Sequence, residues 1–350
     1  MKPDFYPNLV IVGINVAFSQ TFCLLMARLL SQHNGVRCEI IETTDISTFV
    51  KTVLRRGTEP FILQANRPDA RLTEAIKDSG VRTIVLHEHL AFEVCLLQDQ
   101  NKQPYSESLR VVQNFAVCYS RLRANERSYT MSPSQFLAEP QLELIKLCDA
   151  LGICIDESRI EDFITEYDWP QISHPKEIVP SDIQSAIHGY DELARGIRAA
   201  VLICTKELMF LGPGTSFING KEIDLTGKGG MLLFGPYASL SPGSWEAEIC
   251  FAVSPEAIEA SFRFISTSTF DGVTKETGLT DYTAYRSGKQ LTSVIFQVDS
   301  IDQKIEITMH KTSHIPVGSF VFGYIRFTEI QDDSDQENWA KGIEPPSMNH

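Results

Sequence analysis

His87, Glu88 and His89 follow one another directly after the apolar run Thr83-Ile84-Val85-Leu86. An imidazole beside a carboxylate can take a proton from a hydroxyl, which is general-base chemistry on a sugar or another alcohol. In strand conformation, positions 87 and 89 would also offer two metal ligands, but no third stands nearby, so no metal centre is expected. Two hydrogen-bonded histidines at a strand end would look the same.

A second stretch, Gly13-Ile14-Asn15-Val16-Ala17-Phe18-Ser19-Gln20-Thr21, joins an apolar run to a helix. Free amide N–H groups at such a step face anions. Its anion-binding candidates are Gly13, Asn15, Ser19, Gln20 and Thr21. It holds one Gly and no Lys, and Phe18 stands where a small residue would suit a phosphate. Arg67, in Asn66-Arg67-Pro68, is the best basic candidate for an anion in this half of the chain, or else a partner for Asp69 at a helix start.

Further on, Tyr282, Tyr285 and Arg286 lie in Asp281-Tyr282-Thr283-Ala284-Tyr285-Arg286-Ser287-Gly288. Aromatic faces and a forked donor suit the apolar face and hydroxyl rim of a sugar. An ordinary hairpin would share this composition. Tyr237 sits in a Gly-Pro-Tyr turn. Trp245 alternates with Ala247, Ile249 and Phe251, which turns it inward as core.

These residues need elements to hold them. Leu9-Val10-Ile11-Val12, Cys38-Glu39-Ile40-Ile41, Pro60-Phe61-Ile62-Leu63 and Thr83-Ile84-Val85-Leu86 read as strands. They alternate with amphipathic helices, the pattern of a doubly wound, mostly parallel α/β sheet. A fifth strand is expected over 128–131. Asp45 and Asp69 stand at helix starts and Gly80 and Gly152 at helix ends. Three prolines between Trp169 and Pro180 mark a linker. Beyond Ala200, alternation replaces helical spacing, as in 245–251, 292–298, 304–309 and 320–325, and argues an all-β sandwich of jelly-roll type. The expected division is an α/β domain over 1–175, a sandwich over 176–330 and an acidic, disordered tail over 331–350.

The net charge of -14 argues against nucleic acid as a partner and against adsorption to anionic lipid. No apolar run reaches the ~20 residues of a bilayer span. The start, MKPDFYPNLVIVG, does not read as a signal peptide. The eight cysteines are scattered without a CxxC pair, as buried free thiols in a reducing compartment would be. A cytoplasmic location follows as the expectation.

The first half of the chain resembles the sulfotransferase branch of P-loop proteins. Residues 9–30 match its opening strand, loop and helix in shape. Ser134-Gln135-Phe136-Leu137-Ala138-Glu139-Pro140 with the following helix resembles a late segment of that family. The resemblance implies a 3′-phosphoadenosine 5′-phosphosulfate donor held by the Gly13–Thr21 loop and by Arg67. This sequence departs from the family where a basic residue would meet the donor, and His87-Glu88-His89 stands where Arg-Asp-Pro would be. A phosphate dianion without Arg, Lys or a full amide nest costs several kcal/mol to bury, so the donor is expected to bind weakly or not at all. Leu233-Phe234-Gly235-Pro236-Tyr237-Ala238-Ser239-Leu240-Ser241-Pro242-Gly243-Ser244-Trp245 resembles a signature of jelly-roll modules attached to bacterial polysaccharide-biosynthesis enzymes.

The resulting expectation is a glycan-recognition or accessory protein of bacterial surface or exopolysaccharide biosynthesis, without cofactor, on a degenerate sulfotransferase-like frame. Its partners would be a glycan or polysaccharide-biosynthesis enzymes, with a homo-oligomer open. Two alternatives stand beside it. One is an active group transferase with His87, Glu88 or His89 as base, and the other is an assembly scaffold.

Overall fold

Leu9-Val10-Ile11-Val12 has no polar side chain, so as a strand it must be covered on both faces. In the computed structural model all of β1 (Leu9–Gly13) is buried. The structure describes residues 9–14, 16–43, 45–55, 60–102, 104–154, 157–170, 181–197 and 201–330. The expected tail 331–350 and most of the expected linker lie outside them. The chain divides into two compact units, Met1–Arg198 and Ala199–His350.

In the first unit, β1 is followed by α1 (Val16–Asn34), β2 (Glu39–Thr43), α2 (Ile46–Arg55), β3 (Phe61–Asn66), α3 (Ala70–Ser79) and β4 (Arg82–Leu86). Then come α4 (Leu90–Asn101), α5 (Tyr105–Arg123), β5 (Ser128–Met131), α6 (Pro133–Ala138), α7 (Pro140–Leu151), α8 (Ile160–Thr165) and α9 (Ser181–Ala194). The five strands run parallel in the order β2-β3-β1-β4-β5. One face of the sheet, carrying Leu9, Ile11, Ile62, Ile84 and Leu86, is covered by Phe18, Phe22, Leu25 and Met26 of α1 and by apolar residues of α7 and α8. On the other face, α5 packs against α3, α4 and α9. This is the expected doubly wound α/β arrangement. Asp69 caps α3 by accepting from Leu72 N at 2.7 Å, and Asp45 accepts from Thr48 N at 2.9 Å at the start of α2.

The unit boundary falls after α9, whereas the prolines placed it at 175. Ala186, Ile187, Tyr190 and Ala194 of α9 are buried, and its Asp191 accepts from Leu90 N at 3.0 Å. Arg123 Nη1 donates to Ala194 O at 2.8 Å. Prolines end regular hydrogen bonding, but the apolar stripe of the next helix decides which core it joins.

The second unit contains β6 (Leu202–Cys204), β7 (Phe210–Leu211), β8 (Phe217–Ile218), β9 (Glu222–Asp224), β10 (Gly230–Ser239) and β11 (Gly243–Val253). It continues through β12 (Ser261–Phe270), β13 (Val273–Thr283), β14 (Gly288–Val298), β15 (Lys304–Lys311) and β16 (Ser319–Ile330). Two antiparallel sheets, β13-β12-β15-β10-β7 and β14-β11-β16-β9-β8, form the β-sandwich, with β6 paired to β16. Alternation on β11 sends Trp245, Ala247, Ile249, Phe251 and Val253 inward, all buried. Trp245 is core, as its spacing implied, and its Nε1 donates to Ser241 O at 2.9 Å. The Phe251 ring lies 5.2–5.6 Å from those of Phe262, Phe264, Tyr282 and Phe320.

The edge strands β13 and β14 meet along one side, where Thr280 Oγ1 donates to Ser293 O at 2.7 Å. A Cβ at Gly278 would stand 2.4 Å from Ile295 O, so this approach requires glycine. Among the described residues no helix is long and apolar enough to cross a membrane.

Candidate functional site

Parallel register sets the carboxyl ends of the central strands level. Gly13 stands opposite Asn66 and Leu86, and Leu86 opposite Met131. The β1–α1 turn, Arg67, His87–His89 and Ser132–Ser134 therefore share the edge where α/β sheets build their sites.

Residues 16–21 of the expected anion loop are the first turns of α1. Only Ile14 and Asn15 separate β1 from α1, whereas a loop that wraps a phosphate takes about eight residues. Asn15 lies outside the described residues. Gly13 is the last residue of the strand, and a Cβ there would come within 2.9 Å of Ser19 Oγ. Ser19 is buried in the first turns of α1 with no partner for its hydroxyl. Thr21 Oγ1 donates to Ala17 O at 3.2 Å within the helix, and Gln20 is exposed. Phe18 is fully buried in an aromatic cluster with Phe22, Phe136 and Trp169, centroids 4.9–5.8 Å apart. Phe18 lies on the apolar stripe of α1 with Phe22, Leu25 and Met26, as the helical spacing of 18–30 implies, and α1 itself begins two residues earlier, at Val16.

Arg67 is exposed, with a left-handed backbone at φ 58, a conformation that costs about 1–2 kcal/mol for a residue other than glycine. It makes no ion pair with Asp69, whose carboxylate is engaged as the α3 cap. Beside it runs a polar row that sequence reading missed. Gln64 Nε2 donates to Asn66 Oδ1 at 3.2 Å, and Asn66 Nδ2 donates to Glu42 Oε1 at 3.0 Å.

The three residues read as one catalytic row have three separate partners. His87 is buried, its Nδ1 3.2 Å from Glu93 Oε1 and its ring 5.2 Å from that of Tyr119. Glu88 accepts from Ser132 Oγ at 2.9 Å, from Ser134 Oγ at 3.0 Å and from Ser134 N, which fixes the start of α6. His89 caps α4, its Nδ1 accepting from Ala91 N at 3.3 Å, and its Nε2 lies 3.5 Å from Asp191 Oδ2. Among the described residues no group of three His, Cys, Asp or Glu side chains is placed to hold a metal ion.

Glu93 accepts from Glu88 N at 3.1 Å through Oε1, while Oε2 has no partner. Burial holds its carboxyl above the ordinary value of 4.5, and burial likewise raises the Tyr119 hydroxyl well above 10.0. A signal for Glu93 was present, since it is the one charge in the apolar stretch Leu90–Leu97. A carboxyl raised by folding keeps its proton in the native chain after the unfolded chain has lost it. Its contribution to stability is therefore full below 4.5 and falls as pH rises toward the native value. Glu93→Gln is expected to flatten the decline of first-unit melting temperature from about pH 5 upward. Calorimetry across that range checks it, and an unchanged slope would show that Glu93 is not its source.

In the second unit, Gly235-Pro236-Tyr237 lies inside β10 rather than in a turn. The register against β15 slips between Pro236 and Ala238, and Tyr237 takes φ 63 at that bulge. Phe210 and Phe234, cross-strand partners, stack at 5.3 Å and 24°, and Tyr237 lies 6.1 Å from Phe210. Phe210 is 38% exposed. Glu306, opposite Pro236, hydrogen-bonds Tyr237, and burial raises its carboxyl. Thr308 and His310 continue the same outer face of β15, with Thr308 Oγ1 3.1 Å from His310 Nε2.

Tyr282, Tyr285 and Arg286 do not join this face. The Tyr282 hydroxyl donates to Gln290 Oε1 at 2.6 Å and its ring packs on Phe251 in the core. Tyr285 is 82% exposed, and Arg286 O accepts from Gln290 Nε2 at 2.9 Å. Tyr282 is level with Phe262 of β12, while Glu306, beside Tyr237, is level with Thr267. That is roughly 17 Å along the strand. Phe210, Phe234 and Glu306 come from three strands, and only the cross-strand register brings them together.

No family model matches the chain, and a search of the curated proteins found no match. Among solved structures, mouse sulfotransferase SULT7A1 complexed with PAP is similar over 45% of this chain, at 11% identity and a TM-score of 0.35. The matched part spans 63% of the mouse enzyme. The sulfotransferase domain of the Synechococcus PCC 7002 olefin synthase is similar over 56% of this chain and 96% of its own, at 13% identity and a TM-score of 0.35. The C-terminal CBM6 of LamC, a marine laminarinase of Zobellia galactanivorans, is similar over 37% of this chain and 99% of its own, at 15% identity and a TM-score of 0.27. The chain is thus similar to sulfotransferases in its first unit and to carbohydrate-binding modules in its second.

Proposed function

We propose that this chain is a glycan-recognition or accessory protein of bacterial surface or exopolysaccharide biosynthesis, with the sandwich as the binding part. The observation that carries the reading is the half-open ring pair of Phe210 and Phe234 beside Tyr237 and Glu306 on one sheet face. Ring faces cover the C–H side of a pyranose, and a carboxylate accepts from its hydroxyls. The first unit supports the same reading by what occupies its edge. Only two residues join β1 to α1, and the side chain that Glu88 brings to that edge is a carboxylate held by Ser132 and Ser134.

The test is glycan retention by the full chain on an immobilised polysaccharide panel. Phe210→Ala is expected to weaken retention about tenfold, some 1.4 kcal/mol, with the fold intact because the ring is part-exposed. Unchanged retention on every retained glycan would remove this face as the site.

Arg67 favours a second reading, a group transferase acting on a polysaccharide hydroxyl, because an exposed guanidinium carried on a left-handed backbone at the carboxyl edge suits an anion. A saturable thermal shift with 3′-phosphoadenosine 5′-phosphate, lost in Arg67→Gln, would favour it. Flat curves are the expected result.

A further inference from the structure

At the opposite edge of the parallel sheet, the end of α1, the residues after α7 and Phe163 of α8 line a half-open pocket of about 400 Å³. Its position follows from the chain. α1 leaves the carboxyl edge at β1 and so ends at the amino edge, and Arg82 at the start of β4 donates from Nη1 to Leu151 O at the end of α7. Leu29, Ile153 and Phe163 give the cavity an apolar floor, while His33, Cys154 and Arg159 supply its polar wall.

Arg159 is held in a defined place, its guanidinium over the Phe163 ring at 5.5 Å from the centroid. Arg28 covers the same ring at 5.0 Å and is paired with Glu166. Arg159 has no carboxylate partner among the described residues. A guanidinium anchored on a ring beside an apolar floor, with no carboxylate on it among the described residues, is matched by an anionic head on an apolar body. The volume is within the ~300–1,000 Å³ of small-molecule sites.

We propose that this cavity is a binding site for a small organic carboxylate with an apolar body. Arg159 and His33 receive the carboxylate, and Leu29, Ile153 and Phe163 cover the body. The site lies at the edge opposite the carboxyl ends of the strands, and it does not depend on the reading proposed above.

Cys154 provides the readout, because it is exposed while the other seven cysteines are buried. Its thiolate displaces iodide from iodoacetate, which is anionic, or from iodoacetamide, which is neutral. In each case a sulfur–carbon bond forms and iodide leaves. Peptide mapping of the full-length chain gives both rates at Cys154. The ratio of iodoacetate to iodoacetamide rate is expected to fall at least fivefold in Arg159→Gln and to be restored in Arg159→Lys. Phenylacetate, the probe ligand, is expected to protect Cys154 from iodoacetamide saturably in the natural chain and not in Arg159→Gln. Equal ratios in the natural chain and Arg159→Gln would overturn the proposal. A lower ratio without protection by phenylacetate would overturn it as well, since Arg159 would then steer anions without holding them. If Arg159→Gln fails to fold, His33→Gln serves in its place, with weaker phenylacetate protection expected and unchanged protection counting against the site.

Discussion

Phe251→Ala is expected to destabilise the sandwich by about 3–5 kcal/mol, the cost of a large core ring replaced by a cavity. The size follows from position. Phe251 sits on the central strand β11 and touches two rings of β12, one of β13 and one of β16, so it joins both sheets. Only 1% of it is exposed, and the surrounding aromatics are too stiff to close the space. Phe270→Ala is the control, since that ring is 40% exposed, and a change within about 0.5 kcal/mol is expected. Urea unfolding followed by hydrogen exchange of the β11 amides measures both. A loss below about 1 kcal/mol for Phe251→Ala would mean that the ring cluster does not couple the sheets.

Asp191→Ala is expected to release α9 from the first unit at a cost of about 2–3 kcal/mol. The carboxylate is 2% exposed, accepts from Leu90 N at 3.0 Å and from Arg195 Nη2 at 2.6 Å, and faces His89. Its removal orphans a buried amide at the start of α4 and unpins the helix that follows the proline-rich segment. Arg195 is about half exposed, and solvent screening keeps the loss below that of a fully buried pair. Asp191→Asn, which retains an acceptor for Leu90 N, should lose less. Hydrogen exchange over 184–194 reads the effect directly, and α9 amides as protected in Asp191→Ala as in the natural chain would refute the anchoring role.

The parallel sheet was legible because its central strands carry short apolar runs, as at 9–12 and 61–63, that alternate with amphipathic helices. Helix ends were legible where a side chain does local work, as at Asp45 and Asp69. The sandwich showed in its alternation, and the inward face of Trp245 followed from period two. What depended on long-range pairing was not legible. Glu88 is held by Ser132 and Ser134 at the start of α6, and His89 faces Asp191 of α9, both set by tertiary packing. Tyr237 was read as a turn residue because Gly-Pro favours turns, but the pairing of β10 with β15 carries the strand through as a bulge. Phe210 and Phe234 are 24 residues apart, from 210 to 234, and gave no local sign of their stacking.

The two-residue step from β1 to α1 also bears on how this frame could change. Loop-closure entropy barely opposes a longer connection, at about 0.6 kcal/mol per doubling of length. Residues on the far side of Phe18 are less free to change, because its ring is fully buried against Phe22, Phe136 and Trp169 and ties the start of α1 to the core. Variation at this edge is therefore cheapest in the step itself and costliest one helical turn later.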